Sequence, residues 1–220
     1  MPRKIGKKER KRDRKPQPAS YFIGSEGTKT EVIYFKGFAE KLRTKYAGLD
    51  GKVVVPSFEI EGIGTSSTRL LQDIEKYLRT DPRIFENVWA VFDKDDVPKD
   101  YFDNAISKAK SSGWHVAWTN DSFELWYLLH FEYLNSAIDR AQYKKKLEEH
   151  FKSNGLSGYE KNDPEVFEIL YSKSSTALKN ASRLEKNYDE SISCSERNPC
   201  TTVHDLVGRL VELENQAKDI

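Results

Sequence analysis

The feature that most constrains the fold is a regular alternation of strand-like and helix-like segments between residues 19 and 136. Four short apolar runs, "ASYFIGSEG", "KVVVPSFEI", "NVWAVFD" and "WHVAWTN", are each followed by a segment with the periodicity of an amphipathic helix. Parallel strands need such crossover connections, so the order βαβαβαβα favours a parallel sheet with helices on both faces. The sequence therefore predicts an α/β fold.

A second region, residues 137–220, has little strand signal. Its segments "AIDRAQYKKKLEEHF", "DPEVFEILYSKSSTALKNASRLEKNY" and "TTVHDLVGRLVELENQA" are each predicted to be one helix, as is "SFELWYLLHFEYL" at the end of the alternating region. No low-complexity linker separates the two regions. We therefore expect a helical C-terminal region that packs on an α/β domain of residues 19–136.

The first 18 residues form a basic arm. Residues 1–15 contain nine Lys or Arg against two acids, a net charge of +7, while the whole chain has +1, which leaves −6 for the remainder. Such an arm is typical of a disordered segment that follows a nucleic-acid backbone, although it could bind an acidic partner or have no role.

The sequence has no run of eighteen apolar residues and no apolar stretch after its basic start. We therefore expect no membrane span and no secretory signal, and we expect a cytoplasmic protein. Cys194 and Cys200 lack the two-residue spacing of redox and zinc pairs, so two ordinary thiols are favoured over a zinc site that would include His204.

Acidic residues follow two of the predicted strands. Glu26 comes after the first, and Asp93, Asp95 and Asp96 come at the end of the third. Carboxyl ends of parallel strands share one edge of a sheet, so these acids would lie together if the two strands are neighbours. Two unit charges about 5 Å apart repel by roughly 3 kcal/mol at an effective dielectric near 20, so such a group takes up protons or holds a cation. Magnesium is the natural choice for oxygen ligands.

The spacing of Asp93 and Asp95 strengthens this interpretation. Residues two apart on an extended chain point the same way, so both carboxylates would reach one metal ion. Asp96 has a simpler alternative, as a cap of the helix that follows Pro98.

Further candidates follow the fourth strand. Ser122 and Glu124 lie at the same predicted edge, and we expect Ser122 to contact substrate. Glu124 is either a second metal ligand or, with Asp121, part of a helix capping box.

The turn after Glu26 supplies the remaining candidates. Lys29 and Thr30 precede a helix, where an ammonium and backbone N–H groups would hold a phosphate. Glu31 stands three residues after Thr28, and a structural capping box is favoured there over catalysis.

Two other residue types are interpreted as structural. His130 lies on an aromatic helix and is predicted to be a core histidine. Trp114, Trp118 and Trp126 recur at structural periods and are also assigned to the core.

Five segments together resemble a known family. They are "YFIGSEGTKTEVIYFKGF", "VWAVFDKDD", "TNDSFELWYLLHF", "GYEK" and "NPCTTVHDLV", and in this order they look like the signatures of the RloB-like family, over about residues 20 to 208. That family is associated with bacterial phage-defence loci. It is similar to the Toprim superfamily, in which a small parallel sheet between helices carries a Glu after the first strand and a DxD after the third.

The resemblance implies a fold and a function. Glu26 matches the Toprim glutamate, and Asp93 with Asp95 match its DxD. The implied activity is a Mg²⁺- or Mn²⁺-dependent nuclease that cleaves RNA, such as tRNA, or DNA, with Asp96 and Glu124 in support. The implied role is an effector of abortive-infection defence, and the implied partner is a co-encoded ATPase.

Two points stay open at the level of sequence. The rival function is a nucleic-acid or nucleotide-binding sensor for that ATPase, whose acids bind metal without cleavage, and a homo-oligomer is compatible with either. The chain also departs from the family pattern at Asp121, where the family has proline.

Overall fold

The computed structural model describes residues 15–49, 51–160 and 164–218. It contains a five-stranded sheet in the order β2-β1-β3-β4-β5, in which the first four strands are parallel and β5 is antiparallel to β4. The strands are β1 Gln17–Ser25, β2 Ser57–Gly62, β3 Phe85–Asp93, β4 His115–Asn120 and β5 Cys200–Thr201. The predicted α/β fold class is confirmed, and the arrangement is consistent with a Toprim-like sheet between helices.

Helices cover both faces of the sheet. They are α1 Thr30–Lys45, α2 Ser67–Thr80, α3 Lys99–Ser111, α4 Glu124–Leu128, α5 Arg140–Ser153, α6 Pro164–Ser172, α7 Ser174–Glu185 and α8 Val203–Lys218, with a short 3₁₀ helix at Cys194–Glu196. Apolar residues of α2 and α3 form the core on one face. Those of α1 and α4 to α8 form a larger core on the other, so the C-terminal helices share a core with α1.

Strand β3 lies at the centre of the sheet and supplies both cores. Ala90 and Phe92 belong to the core beneath α2 and α3, whereas Trp89 and Val91 belong to the opposite one. This two-residue alternation with burial on both faces explains why the strand reads as a continuous apolar run.

The helix predicted over residues 122–134 is much shorter than expected. It ends at Leu128, and the residues on both sides of that end, including Leu129 and His130, are buried. The Leu129 carbonyl accepts a hydrogen bond from Asn180 Nδ2 at 2.8 Å instead of continuing a helix. His130 bonds to the Tyr34 hydroxyl at 3.2 Å, which confirms that it is a core histidine.

The C-terminal region differs from prediction in two places. The segment predicted as one long helix is divided into α6 and α7 at Lys173. The predicted helix at residues 201–217 begins only at Val203, because Cys200 and Thr201 form β5. Side chains fix this strand: Thr201 Oγ1 lies 3.0 Å from Thr119 Oγ1, and the Thr202 amide donates to the Trp118 carbonyl at 2.8 Å.

The amino-terminal segment is described only from Lys15. Strand β1 begins at Gln17, inside the predicted basic arm, and residues 1–14 of the arm lie outside the described residues. Within the described ranges, no helix is both long and apolar enough to cross a membrane.

Candidate acidic site at the strand ends

The site begins where the adjacent parallel strands β1 and β3 end. Ser25 pairs with Val91, and the Glu26 amide donates to the Val91 carbonyl at 2.9 Å. Glu26 therefore follows β1 beside Asp93, the last residue of β3. The two strands are neighbours in the sheet, as the placement of these acids required.

The Asp93 carboxylate is held among other acids. Its Oδ2 accepts a hydrogen bond from the Phe123 amide at 2.9 Å, which positions it at the start of α4. Loss of solvent raises the pKa of Asp93 well above its usual range, and the charges of Glu31, Glu124 and Glu26 raise it further. The Phe123 N–H opposes these effects only in part.

Glu26 is perturbed in the same direction. Burial and the charge of Glu31 raise its pKa to about 7, against a lowering by the backbone N–H of Asp93. Its Oε2 is buried and has no hydrogen-bond partner within the described part of the chain. Buried polar atoms normally have partners, so this oxygen is suited to a ligand.

Glu31 is a further candidate for the site. The sequence pattern favoured a helix capping box for this residue over catalysis. Glu31 is only 7% exposed, and α1 has Lys29 as its N-cap residue with no side-chain bond at the cap. Its carboxylate packs against Gly27, where a Cβ atom would lie 2.0 Å from Glu31 Oε2. A signal for this existed, because Glu31 stands at helical spacing from Tyr34 and Phe35 on the buried face of α1.

Asp93 and Glu31 line a cavity of about 260 Å³, and Glu26 lies beside it in the chain without lining it. Its lining residues are Gly27, Thr28, Lys29, Thr30, Glu31, Asp93, Phe123 and Glu124. We call Glu26, Glu31, Asp93 and Glu124 the strand-end acids. Of the proposed substrate contacts, exposed Lys29 and buried Thr30 line this cavity, while Ser122 is buried with no hydrogen bond to its Oγ from the described residues.

Asp95 and Asp96 lie in a different environment. Asp95 forms an ion pair with Arg140 Nη2, and Asp96 Oδ1 lies 3.4 Å from the same nitrogen. Asp121 Oδ2 lies 3.3 Å from Arg140 Nε. We call Arg140 with Asp95, Asp96 and Asp121 the Arg140 cluster.

The expected common direction of Asp93 and Asp95 is therefore wrong. It assumed an extended chain, but β3 ends at Asp93 and Asp95 has a φ of 41°. The side chain of Asp96 is 95% exposed, and the N-cap residue of α3 is Pro98, so Asp96 is not a helix cap.

The capping box predicted for Asp121 and Glu124 is also absent. The N-cap residue of α4 is Phe123, and no side chain bonds to that cap. Asp121 belongs to the Arg140 cluster, and Glu124 lines the acidic cavity.

The strand-end acids suit a magnesium ion in one particular way. Among the residues that the structure describes, no three His, Cys, Asp or Glu side chains form a preassembled set of metal ligands. Magnesium, however, is usually held by one or two carboxylates and completed by water and phosphate oxygens. The unpartnered Oε2 of Glu26 and the raised pKa of Asp93 fit such an open site, because a cation would satisfy both.

Comparison with known proteins identifies the family. Searches against curated proteins and solved structures gave no match. The family model described as "RloB-like protein" matches residues 21–210, which is most of the chain. The chain belongs to the RloB-like protein family.

Proposed function

We propose that this protein is a metal-dependent nuclease that hydrolyses phosphodiester bonds of RNA or DNA with Mg²⁺ or Mn²⁺. The observation that carries the proposal is the meeting of Glu26 and half-buried Asp93 at the ends of adjacent parallel strands, with Glu31 and Glu124 lining the same cavity as Asp93. A carboxylate that is withdrawn from solvent among other acids is costly to ionise, and such perturbed carboxyls are typical of functional sites.

Asp93 and Glu26 are the residues that would hold the metal, with Glu31 and Glu124 beside them. Bound Mg²⁺ would supply a Lewis acid for the scissile phosphate and would lower the pKa of a water molecule. Glu26 would coordinate or act as general acid or base. Asp95, the second acid of the DxD, would join only after release from Arg140.

Substrate phosphate would be held next to these acids. Lys29 and Thr30 line the same cavity, and the first turn of the 16-residue helix α1 presents backbone N–H groups there. An ammonium and oriented amides would balance the phosphate charge that the acids would otherwise repel.

Membership of the RloB-like family suggests the biological setting. We propose that the nuclease is an effector of antiviral, abortive-infection defence and that a co-encoded ATPase controls it. The basic arm, residues 1–18, would add sequence-independent affinity for nucleic acid.

One observation favours a second candidate, a nucleic-acid or nucleotide-binding sensor without cleavage. Arg140 forms an ion pair with the Asp95 carboxylate, so the two acids of the DxD do not converge on one metal position. While Asp95 is bound to this guanidinium, Asp93 would be the acid of the DxD pair that binds the metal, and catalysis would be weaker.

A direct assay separates the two. Purified protein, with and without the ATPase, would be incubated with total RNA and with plasmid DNA in Mg²⁺, Mn²⁺ or EDTA. Asp93→Ala and Glu26→Ala should abolish cleavage that the wild type shows in metal. The matched control is Glu75→Ala on α2, which removes an exposed acid that pairs with Arg79.

The outcomes are distinct. Cleavage that persists in both variants would reject the assigned site. Metal-dependent binding of nucleic acid with no cleavage, with or without the ATPase, would replace the nuclease by the sensor.

A further inference from the structure

A second cavity, of about 560 Å³, lies at the other end of the strands. It is formed by the end of α3, the start of β4 and the helices α7 and α8, with His115 and Val116 among its lining residues. The acidic cavity is at the carboxyl ends of β1 and β3, so the two sites share no described lining residue. Its volume is typical of small-molecule sites.

Aromatic rings line this cavity from both faces of the sheet. His115 is exposed and stacks on Trp89, with ring centroids 4.6 Å apart and planes 23° apart. Trp118 and Trp114 also line it. Trp118 is buried as predicted, but Trp114 is only partly buried and is therefore available to a ligand.

Trp89 adds an unused hydrogen-bond donor. The residue is 4% exposed, and its Nε1 is buried with no acceptor among the described residues. Indole N–H groups usually find an acceptor when buried. A ligand that carries an acceptor next to a flat ring would supply one.

Charged residues of both signs surround the rings. Arg197 is committed to the fold, since its Nε donates to the Ile192 carbonyl at 2.9 Å. Among the described residues Arg209 has one ion-pair contact, with Glu212 at 3.6 Å, and Lys110 is exposed at the end of α3, while both cations also interact with the charge of Asp205. These two cations are suited to a phosphate. Asp205 also lines the cavity and would accept from an amino group, whereas Glu185 already pairs with His204 Nε2 at 3.2 Å.

Gly208 keeps the wall of the cavity open. It lies in the interior of α8, where glycine is less favourable than alanine, and a Cβ atom there would meet nothing within 4 Å. Packing therefore does not require glycine at this position. A larger side chain would extend into the cavity, which Gly208 lines.

We propose that this cavity binds a nucleotide, with its base against the His115–Trp89 pair and its phosphate between Lys110 and Arg209. Flat bases stack on such rings regardless of sequence, and both donors and acceptors are present for their edges. The nucleotide is either a free mononucleotide or the end of a single strand. The site is separate from the strand-end acids and does not depend on the nuclease proposal.

Binding is tested by calorimetry and tryptophan fluorescence on the full chain carrying Glu26→Gln and Asp93→Asn, so that no cleavage interferes. The probes are AMP, UMP and a four-nucleotide single strand with a terminal phosphate. Lys110→Glu should weaken binding by about tenfold or more, because it replaces an attractive charge by a repulsive one. The matched control, Lys108→Glu on the same helix and equally exposed, should change it less than about twofold.

Gly208→Leu should abolish binding by filling the cavity, and Gly208→Ala should weaken it while circular dichroism shows an unchanged fold. Binding of AMP or UMP identifies a mononucleotide site, whereas binding of the single strand alone identifies a strand-end site. Absence of binding with every probe, or unchanged affinity in a folded Gly208→Leu chain, would overturn the proposal.

Discussion

The strand-end acids and the Arg140 cluster lie at the same edge of one sheet, but an arginine contacts the acids of the second group, whereas Asp93 in the first lies among other acids. Asp95 and Asp121 face the guanidinium of Arg140, so their negative charge has a partner supplied by the chain, although burial still raises the pKa of Asp121. Asp93 faces Glu26 and Glu31 instead, and the pKa of both Asp93 and Glu26 is raised. Arg140 balances the charge of one group, whereas burial and like charges shift Asp93 and Glu26 of the other towards their protonated forms, an effect that a bound cation would oppose.

Under the proposed function, the difference separates a structural use of aspartate in the Arg140 cluster from a metal-binding use in the strand-end acids. Arg140, the first residue of α5, lowers the energy of the Arg140 cluster by its contacts with the acids there. A cation next to the strand-end acids would lower the energy of that group in the same way. The buried Oε2 of Glu26 and the buried side chain of Glu31 both carry a desolvation cost, which the proposed metal would offset. The following predictions test this contrast, from the largest effect to the smallest.

The largest effect is expected for Asp93→Asn in the nuclease assay. Loss of the central carboxylate should lower the cleavage rate at least about 100-fold, because the charge that holds the metal is removed. Asp95→Asn in the same assay should cost less, since Arg140 already engages Asp95. Equal losses, measured as initial rates, would mean that the Arg140 cluster takes part in catalysis and the contrast fails.

Metal binding should stabilise the chain through the strand-end acids alone. At 100 times its dissociation constant, Mg²⁺ should add about 2 to 3 kcal/mol to the free energy of unfolding, seen as a higher Tm by calorimetry. Asp93→Asn should remove this gain, and Arg140→Gln should retain it. A gain that survives Asp93→Asn would place the metal elsewhere.

The pH dependence of stability should report Glu26. Its pKa is raised from 4.5 to about 7 on folding, so the folded state binds more protons between these values and stability falls as pH rises from about 4.5 to 7. Glu26→Gln should flatten this fall by about 1 to 2 kcal/mol, after allowance for solvent screening. Urea unfolding in metal-free buffer at several pH values measures it. An unchanged slope would contradict the raised pKa.

The smallest effect is expected for Arg140→Gln. The Arg140 side chain is 42% exposed, so its loss should lower the free energy of unfolding by about 0.5 to 1 kcal/mol, and less in high salt. Urea unfolding at low and high salt measures this. Arg79→Gln, which breaks a single exposed pair with Glu75, is the control and should cost less.

Local pattern was sufficient for the alternating part of the fold. The helix predicted between the second and third strands is α2, whose buried positions repeat at helical spacing and which ends before Asp81 and Pro82. The end of α4 followed from tertiary contacts, such as that of Asn180 with the Leu129 carbonyl. Strand β5 has two residues, which is too short for an alternation of apolar and polar residues to be recognised in the sequence.

The site was predictable as far as strand adjacency. Glu26 and Asp93 meet because β1 and β3 pair, which the order of elements favours. Asp95 was misplaced because its positive φ is a property of the loop, whose amide at Asp95 bonds to the Asp121 carbonyl at 3.0 Å. A capping role was favoured for Glu31 because capping motifs and buried acids have the same spacing at the start of a helix.

Strand β5 also has a consequence for how the chain can be made and divided. It covers the outer edge of β4 at Thr119 and Asn120, but it is synthesised about 80 residues later, after α5 to α7. Until then the nascent sheet carries an unpaired edge, which is a template for edge-to-edge aggregation. A fragment that ends at residue 136 would keep that edge permanently, so the α/β domain is best expressed together with its C-terminal helices.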